Sequence, residues 1–201
     1  VLHETIHEMH RKKLDGVLFK IDFEKAYDKV KWSFLQQALR MKGFAPTWCE
    51  WIARFVQGGS VGIRVNEDIG HYFQTLKGLR QGDPLSPYLF ILCMEFLGHL
   101  IQEKCDAKLW LPVKASRSRP SFLHLFFADD LVLFARADSD NCQAIKDVLH
   151  EFCLRSGQSV SEAKSRVFFS PNVEPDQRDI LSSILGFYST PNLGKFLGFP
   201  L

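Results

Sequence analysis

Between two apolar runs, Phe122 to Phe127 and Leu131 to Ala135, stand only Ala128-Asp129-Asp130. A connection that short joins antiparallel strands, so the stretch reads as a β-hairpin with carboxylates at its tip. Hairpins this apolar are not stable alone; they need further strands and a covering layer of helices. The rest of the chain offers both. Gly16 to Phe23 holds the β-rich run Val17-Leu18-Phe19 and Ile21, with Asp22 at its end, and then Trp32, Leu35, Ala38 and Leu39 recur at helical spacing until Gly43. Pro46 opens a second helix with Trp48, Trp51, Ile52 and Phe55 on one side, stopped by Gly58-Gly59. Val61 to Val65 with Tyr72 to Leu76 resemble another hairpin, and Ser86-Pro87 reads as the N-cap and first position of a helix burying Leu89, Cys93, Phe96 and Leu100. Leu111 to Ser121 is linker-like and predicts an exposed loop. Asp140 to Arg155 is predicted helical, with Ile145, Val148, Leu149 and Phe152 inward and Gly157 as its stop. A final strand pair, Arg166 to Phe169 and Phe196 to Phe199, flanks a short helix near Gln177 to Leu185. The whole predicts an α+β fold, an antiparallel sheet covered mainly on one face by helices.

Composition narrows the function classes. With 25 Lys plus Arg against 23 Asp plus Glu, the net charge is +2, so no whole-molecule field argues for nucleic acid and any anionic partner has to be recognised locally. No run of about 18 apolar residues exists and Val1 to Lys13 is too polar for a secretory leader, which sets membrane and signal-peptide readings aside. The cysteines, Cys49, Cys93, Cys105, Cys142 and Cys153, are odd in number and lack C-x-x-C spacing; that disfavours a disulfide framework or a thiolate zinc site and points to a reducing, intracellular setting. The chain begins at Val1 rather than Met and stops inside an apolar run, so we expect a segment of something longer.

Asp22, Asp129 and Asp130 are the strongest chemical signal. Carboxylates beside apolar strands are costly to ionise unless a cation meets them, and a two-metal phosphoryl-transfer site needs hard oxygen ligands around ions about 3.5–4 Å apart. Neighbouring strands lie about 4.8 Å apart, so strand-end carboxylates can bracket such a pair. Asp-Asp is also ordinary turn chemistry. Taken alone, the residues leave both readings open.

The ordered set of segments resembles the reverse transcriptase of non-LTR, LINE-type retrotransposons, especially those of plants. Lys20-Ile21-Asp22-Phe23-Glu24-Lys25-Ala26-Tyr27-Asp28-Lys29-Val30 looks like that family's first catalytic motif, Gly78-Leu79-Arg80-Gln81-Gly82-Asp83-Pro84-Leu85-Ser86-Pro87 like its second, and Phe127-Ala128-Asp129-Asp130 like its third. The resemblance implies RNA-directed DNA polymerase ancestry on a palm with a ferredoxin-like antiparallel sheet packed on helices. Residues 1–201 would then be a reverse transcriptase fragment, palm with partial fingers and without a thumb. Template RNA or DNA, a DNA primer and dNTPs would be its partners and two Mg²⁺, or Mn²⁺, its cofactors, with no membrane and with nuclear action. Oligomeric state is not readable.

Carried over by position, Asp22 and Asp129 become the principal metal ligands, with the backbone carbonyl of Phe23 beside them, and Asp130 a carboxylate that helps bind metal or holds the turn. Tyr27 takes the place of an aromatic gate under the incoming sugar; the alternative is a core aromatic opening a helix. Arg80, Gln81 and Gly82 fall where the family meets nucleotide and templating base pair, with Arg80 either on phosphate or in solvent. Ser156 to Ser165 is similar to the fourth motif, although Gln158 stands where an apolar residue is usual and Ser161 where Asn is. Lys164 would lie near the departing pyrophosphate, to offset charge or donate a proton, or be a plain surface lysine. Leu197 and Gly198 belong to a turn resembling the primer grip.

Three rival readings remain. A domesticated or inactive remnant would keep the fold and bind nucleic acid; the intact triad argues against it and the altered fourth motif for it. A nucleotidyl cyclase would share the palm, but the Arg80-Gln81-Gly82-Asp83-Pro84 segment speaks against that. His3-Glu4-Thr5-Ile6-His7 matches H-E-x-x-H, a zinc-protease pattern, without its usual continuation.

Overall fold

The computed structural model describes residues 2–113, 123–191, 195–196 and 199–200. It opens with helix α1 (Leu2–Arg11), followed by strand β1 (Gly16–Ile21), a single helical turn α2 (Ala26–Lys29), and helices α3 (Trp32–Met41) and α4 (Pro46–Gln57). Short strands β2 (Ser60–Val61), β3 (Arg64–Val65), β4 (Asp68–Ile69) and β5 (Phe73–Gln74) lead to the long helix α5 (Ser86–Asp106). Strands β6 (His124–Phe127) and β7 (Asp130–Arg136), helix α6 (Ser139–Ser156), strand β8 (Arg166–Phe169), helix α7 (Pro175–Leu185) and strands β9 (Lys195–Phe196) and β10 (Phe199–Pro200) complete it.

The central sheet has the order β6-β7-β1-β8, and all its pairings are antiparallel. Strand β1 is its middle, with Ile21 opposite Leu131 and Val17 opposite both Ala135 and Phe169. Because side chains alternate along a strand, odd positions make one face and even positions the other. Val17, Phe19, Ile21, Leu131, Leu133 and Val167 join the main core beneath α3, α5 and α6. Leu18, Val132 and Phe134 form a smaller cluster with Met9 of α1 and Val113. Coverage on both sides explains why β1 reads as a continuous apolar run rather than an alternating one. Trp110, wholly buried in the main core, is tied to the sheet by donating its indole N–H to the Phe134 carbonyl at 2.9 Å.

Several expectations are refined. Helix α4 buries Cys49, Ile52 and Val56, whereas Trp48 and Trp51 are 37% and 59% exposed and meet each other edge to face; the helix is turned so that the narrow side chains enter the core. Ser86 lies inside α5, makes no cap hydrogen bond and has an unpartnered buried hydroxyl. Asp83 does that work, its carboxylate accepting from the Leu85 N–H at 2.8 Å. The hairpin after α4 is nested, β2 pairing with β5 and β3 with β4. Strand β8 pairs with β1, and β9 with β10, not with each other. Of the supposed exposed loop, Val113 is buried, and residues 114–122 lie outside the described ones.

Candidate active site

Strand register builds the site. Ile21 faces Leu131, so one step further Asp22 faces Asp130, which itself pairs with Phe127 across the hairpin turn. Asp22 and Asp130 share the even parity of Leu18, Val132 and Phe134. They therefore project from the sheet face opposite α3, α5 and α6. Asp129 sits at the exposed tip. The preceding residue, Ala128, has φ 52, a left-handed conformation that costs a residue with a Cβ roughly 1–2 kcal/mol. Lys25, the residue before α2, has φ 47. Two strained non-glycine residues thus flank the carboxylates, a pattern common where geometry serves chemistry.

Asp22 is anchored through its backbone. Its N–H donates to the Ser165 hydroxyl at 3.1 Å and its carbonyl accepts from the Ser161 N–H at 2.8 Å. Its carboxylate faces the Lys164 ammonium at 3.7 Å; both groups are partly in solvent, so the pair is worth at most about 1 kcal/mol. Phe23 buries its ring 5.8 Å from that of Phe152 and bridges to Val160, leaving its backbone as the only part able to meet a cation.

The segment after Asp22 is gripped from two sides. From one, the Gly78 and Leu79 N–H groups donate to the Val30 and Tyr27 carbonyls at 2.8 Å each, the Trp32 indole donates to the Gly78 carbonyl, and the Gln81 amide donates to the Asp28 carboxylate at 3.2 Å. Gly78, at φ +94, passes so near that a Cβ would lie 2.8 Å from the Asp28 carbonyl oxygen. From the other, the Lys31 N–H donates to the Ser156 carbonyl, the Glu24 N–H to the Ser159 carbonyl, and Lys29 to the Ser159 hydroxyl at 2.7 Å. Held between them, Tyr27 stacks on Phe90 of α5, rings 4.7 Å apart and 15° from parallel.

Electrostatics join the parts. Burial first, then Asp129 and Asp22, push the Asp130 carboxyl above the ordinary carboxylate range, with Lys20 opposing. Burial and then Asp129 push the Tyr27 hydroxyl up, so Tyr27 and the hairpin tip sense each other. Burial pushes the Cys93 and Cys142 thiols up to about 12, which makes them poor nucleophiles. The donor set at the strand ends is all hard oxygen, suited to a Mg²⁺-like cation. Among the described residues, however, no group of three or more His, Cys, Asp or Glu stands close enough together to hold a metal ion.

Arg80 and Gln81 are exposed and Gly82, at φ +84, faces open space. Arg80 lies over Gly59, closing one wall of a cleft of about 690 Å³ that Val61, Phe73 and Gln81 also line. That cleft reaches Asp28 but not the three aspartates. Leu197 and Gly198 lie outside the described residues, as do the side chains of His3 and Glu4 in the H-E-x-x-H pattern.

A family model described as "Reverse transcriptase (RNA-dependent DNA polymerase)" matches residues 2–201. The chain belongs to the reverse transcriptase family. An uncharacterized mitochondrial protein of Arabidopsis thaliana is 50% identical over 54 residues, 27% of this chain and 44% of that protein. The Pol polyprotein of the type-2 retrotransposable element R2DM of Drosophila melanogaster is 27% identical over 65% of this chain and 12% of its own length. That of element R2 from Nasonia vitripennis is 30% identical over 62% and 12%. The chain thus spans under half of each of these relatives. Telomerase of Candida tropicalis, solved in complex with a fragment of telomeric RNA, superimposes with a TM-score of 0.62 at 13% identity over 85% of this chain and 28% of that one; its apo form without the C-terminal domain gives 0.61 at 14%, over 85% and 34%.

For a reverse transcriptase, the structure draws Asp22, Asp129, Asp130, Lys164 and Tyr27 to one end of the sheet. Arg80, Gln81 and Gly82 stand to one side, linked through Asp28. Motif spacing assigns no role to Asp28 or Gly78 and no partner to Gln158; the only sequence signal for the close approach of Gly78 is that the second motif opens on a glycine.

Proposed function

We propose that this reverse transcriptase domain extends a primer 3′-hydroxyl with dNTPs on an RNA or DNA template, in the nucleus, by in-line phosphoryl transfer at Asp22, Asp129 and Asp130. Register is the observation that supports it: β1 pairs with β7 as far as Ile21 against Leu131, so one step further Asp22 comes opposite Asp130, which closes the hairpin beside Asp129. Mg²⁺, or Mn²⁺ in its place, would be held by Asp22 and Asp129 with Asp130 and the Phe23 carbonyl beside them; bound there, it lowers the pKa of the attacking hydroxyl and offsets charge on the phosphoryl and leaving oxygens.

The remaining tasks fall to the chain. Tyr27 presents a ring that leaves no space for a 2′-hydroxyl. Arg80, Gln81 and Gly82 face the triphosphate and the templating pair from the segment that also grips Tyr27. Lys164, already beside Asp22, offers its ammonium to the departing pyrophosphate, and Leu197 with Gly198 holds the primer end.

Primer extension by the full-length protein on RNA and DNA templates tests this. Asp22→Asn and Asp129→Asn should each reduce extension by more than the roughly 10–100-fold typical of a residue that only supports a metal ligand, while primer-template binding persists. Near-wild-type extension by either variant contradicts the reading. A wild-type protein that binds primer-template yet never extends it favours the inactive remnant instead.

A further inference from the structure

Gln158 follows the stop of α6 and is 5% exposed. Its side-chain amide donates to the Ala26 carbonyl at 2.7 Å, across 132 residues of chain. This contact fixes which end of the side chain points where, since the other orientation would set oxygen against oxygen. The Gln158 carbonyl oxygen is consequently buried without a partner. An apolar side chain would spare that oxygen but strand the Ala26 carbonyl, so the two are close to even in stability, and an unsatisfied buried group calls for another reason.

The carbonyl that Gln158 grips belongs to the peptide joining Ala26 to Tyr27. On the far side of Tyr27, its own carbonyl accepts from the Leu79 N–H, and its ring lies on Phe90. Both peptide carbonyls around Tyr27 are therefore held from outside α2, one by the second motif and one by Gln158. A turn of four residues has no helical length of its own to keep a ring in place. We propose that Gln158 is a positioning residue for Tyr27, setting how strongly the site prefers deoxyribonucleoside over ribonucleoside triphosphates. The inference rests on reading Tyr27 as the sugar gate. Such a gate acts by contact, and a functional group must be held to within about 0.5 Å by its supporting shell. Without the Gln158 donor, the Ala26 carbonyl is released and Tyr27 keeps only the Leu79 N–H and the Phe90 stack, a looser hold that lets its ring back away from the sugar.

The test compares kcat/KM for a ribo- and a deoxyribonucleoside triphosphate of the same base, using full-length wild type, Gln158→Leu, Gln158→Met and Tyr27→Val, with melting temperatures alongside. In both Gln158 variants the ribo-to-deoxy ratio should rise roughly tenfold, the lower end for outer-shell partners, while deoxynucleotide use stays within a few-fold of wild type. Melting should shift little, since one orphaned polar atom replaces another. An unchanged ratio in both Gln158 variants, with a raised ratio in Tyr27→Val, overturns the inference and leaves the gate standing. No change in Tyr27→Val overturns the gate, and the inference with it. Parallel loss of both activities with lowered melting, or failure of both Gln158 variants to fold, also overturns it by making Gln158 a support of the whole fold.

Discussion

Asp130 combines burial with two like-charged neighbours, and its raised pKa has a consequence for stability. The folded chain holds the Asp130 proton more tightly than the unfolded chain does, so ionisation works against folding. That penalty is absent well below the ordinary value of 3.8, grows as pH rises through the folded pKa, and is complete above it. Asp130→Asn should therefore melt slightly above wild type at pH 7, with the two converging as pH falls below 3.8; calorimetry across that range checks it, and a variant that melts below wild type at pH 7 contradicts it. The three aspartates stood out in the sequence as carboxylates ending or joining apolar strands, but only the ordered motifs separated them from ordinary turn residues. Gln158 was legible only as a departure from the family pattern. Nothing near it in the chain reveals that the Ala26 carbonyl lies over it, and the same is true of Gly78 against Asp28.

Helices α6 and α7 end alike, on Gly157 at φ +83 and Gly186 at φ +82. Alanine at either incurs the left-handed backbone cost of roughly 1–2 kcal/mol, but their surroundings differ. A Cβ added at Gly186 would meet nothing within 4 Å, whereas one added at Gly157 would lie 2.6 Å from the Lys29 carbonyl oxygen. Gly186→Ala should lower the melting temperature by about 2–8 °C, and Gly157→Ala by at least twice as much. Gly157→Ala should also depress primer extension, because the displaced backbone is the one that follows Asp22. Equal effects on melting would show that the end of α6 does not press on that segment. Both helices were readable from spacing, and the stop of α6 from Gly157; the stop of α7 at Gly186 was not read. The rotation of α4 was not readable, since Trp48 and Ile52 share a helical stripe and only tertiary packing selects Cys49, Ile52 and Val56 for the core.

Sheet order is the part of the molecule least written in local sequence. Strand β8 reaches β1 across about 150 residues, and no pattern within either strand names the other; the ordered motifs supplied the palm topology that periodicity alone left as a generic α+β sheet. That topology converts three scattered aspartates into one candidate site, with Lys164 paired to Asp22 across the sheet end. The claim on which function rests is that Asp22, Asp129 and Asp130 act together on a divalent cation. Its most direct test is the melting temperature of the full-length protein titrated with Mg²⁺, since a ligand that binds only the folded state stabilises it in proportion to RT ln(1 + [L]/Kd). Wild type should gain stability with Mg²⁺ and the Asp22→Asn, Asp129→Asn double variant should not. An equal gain in the double variant would place the cation elsewhere and contradict the site.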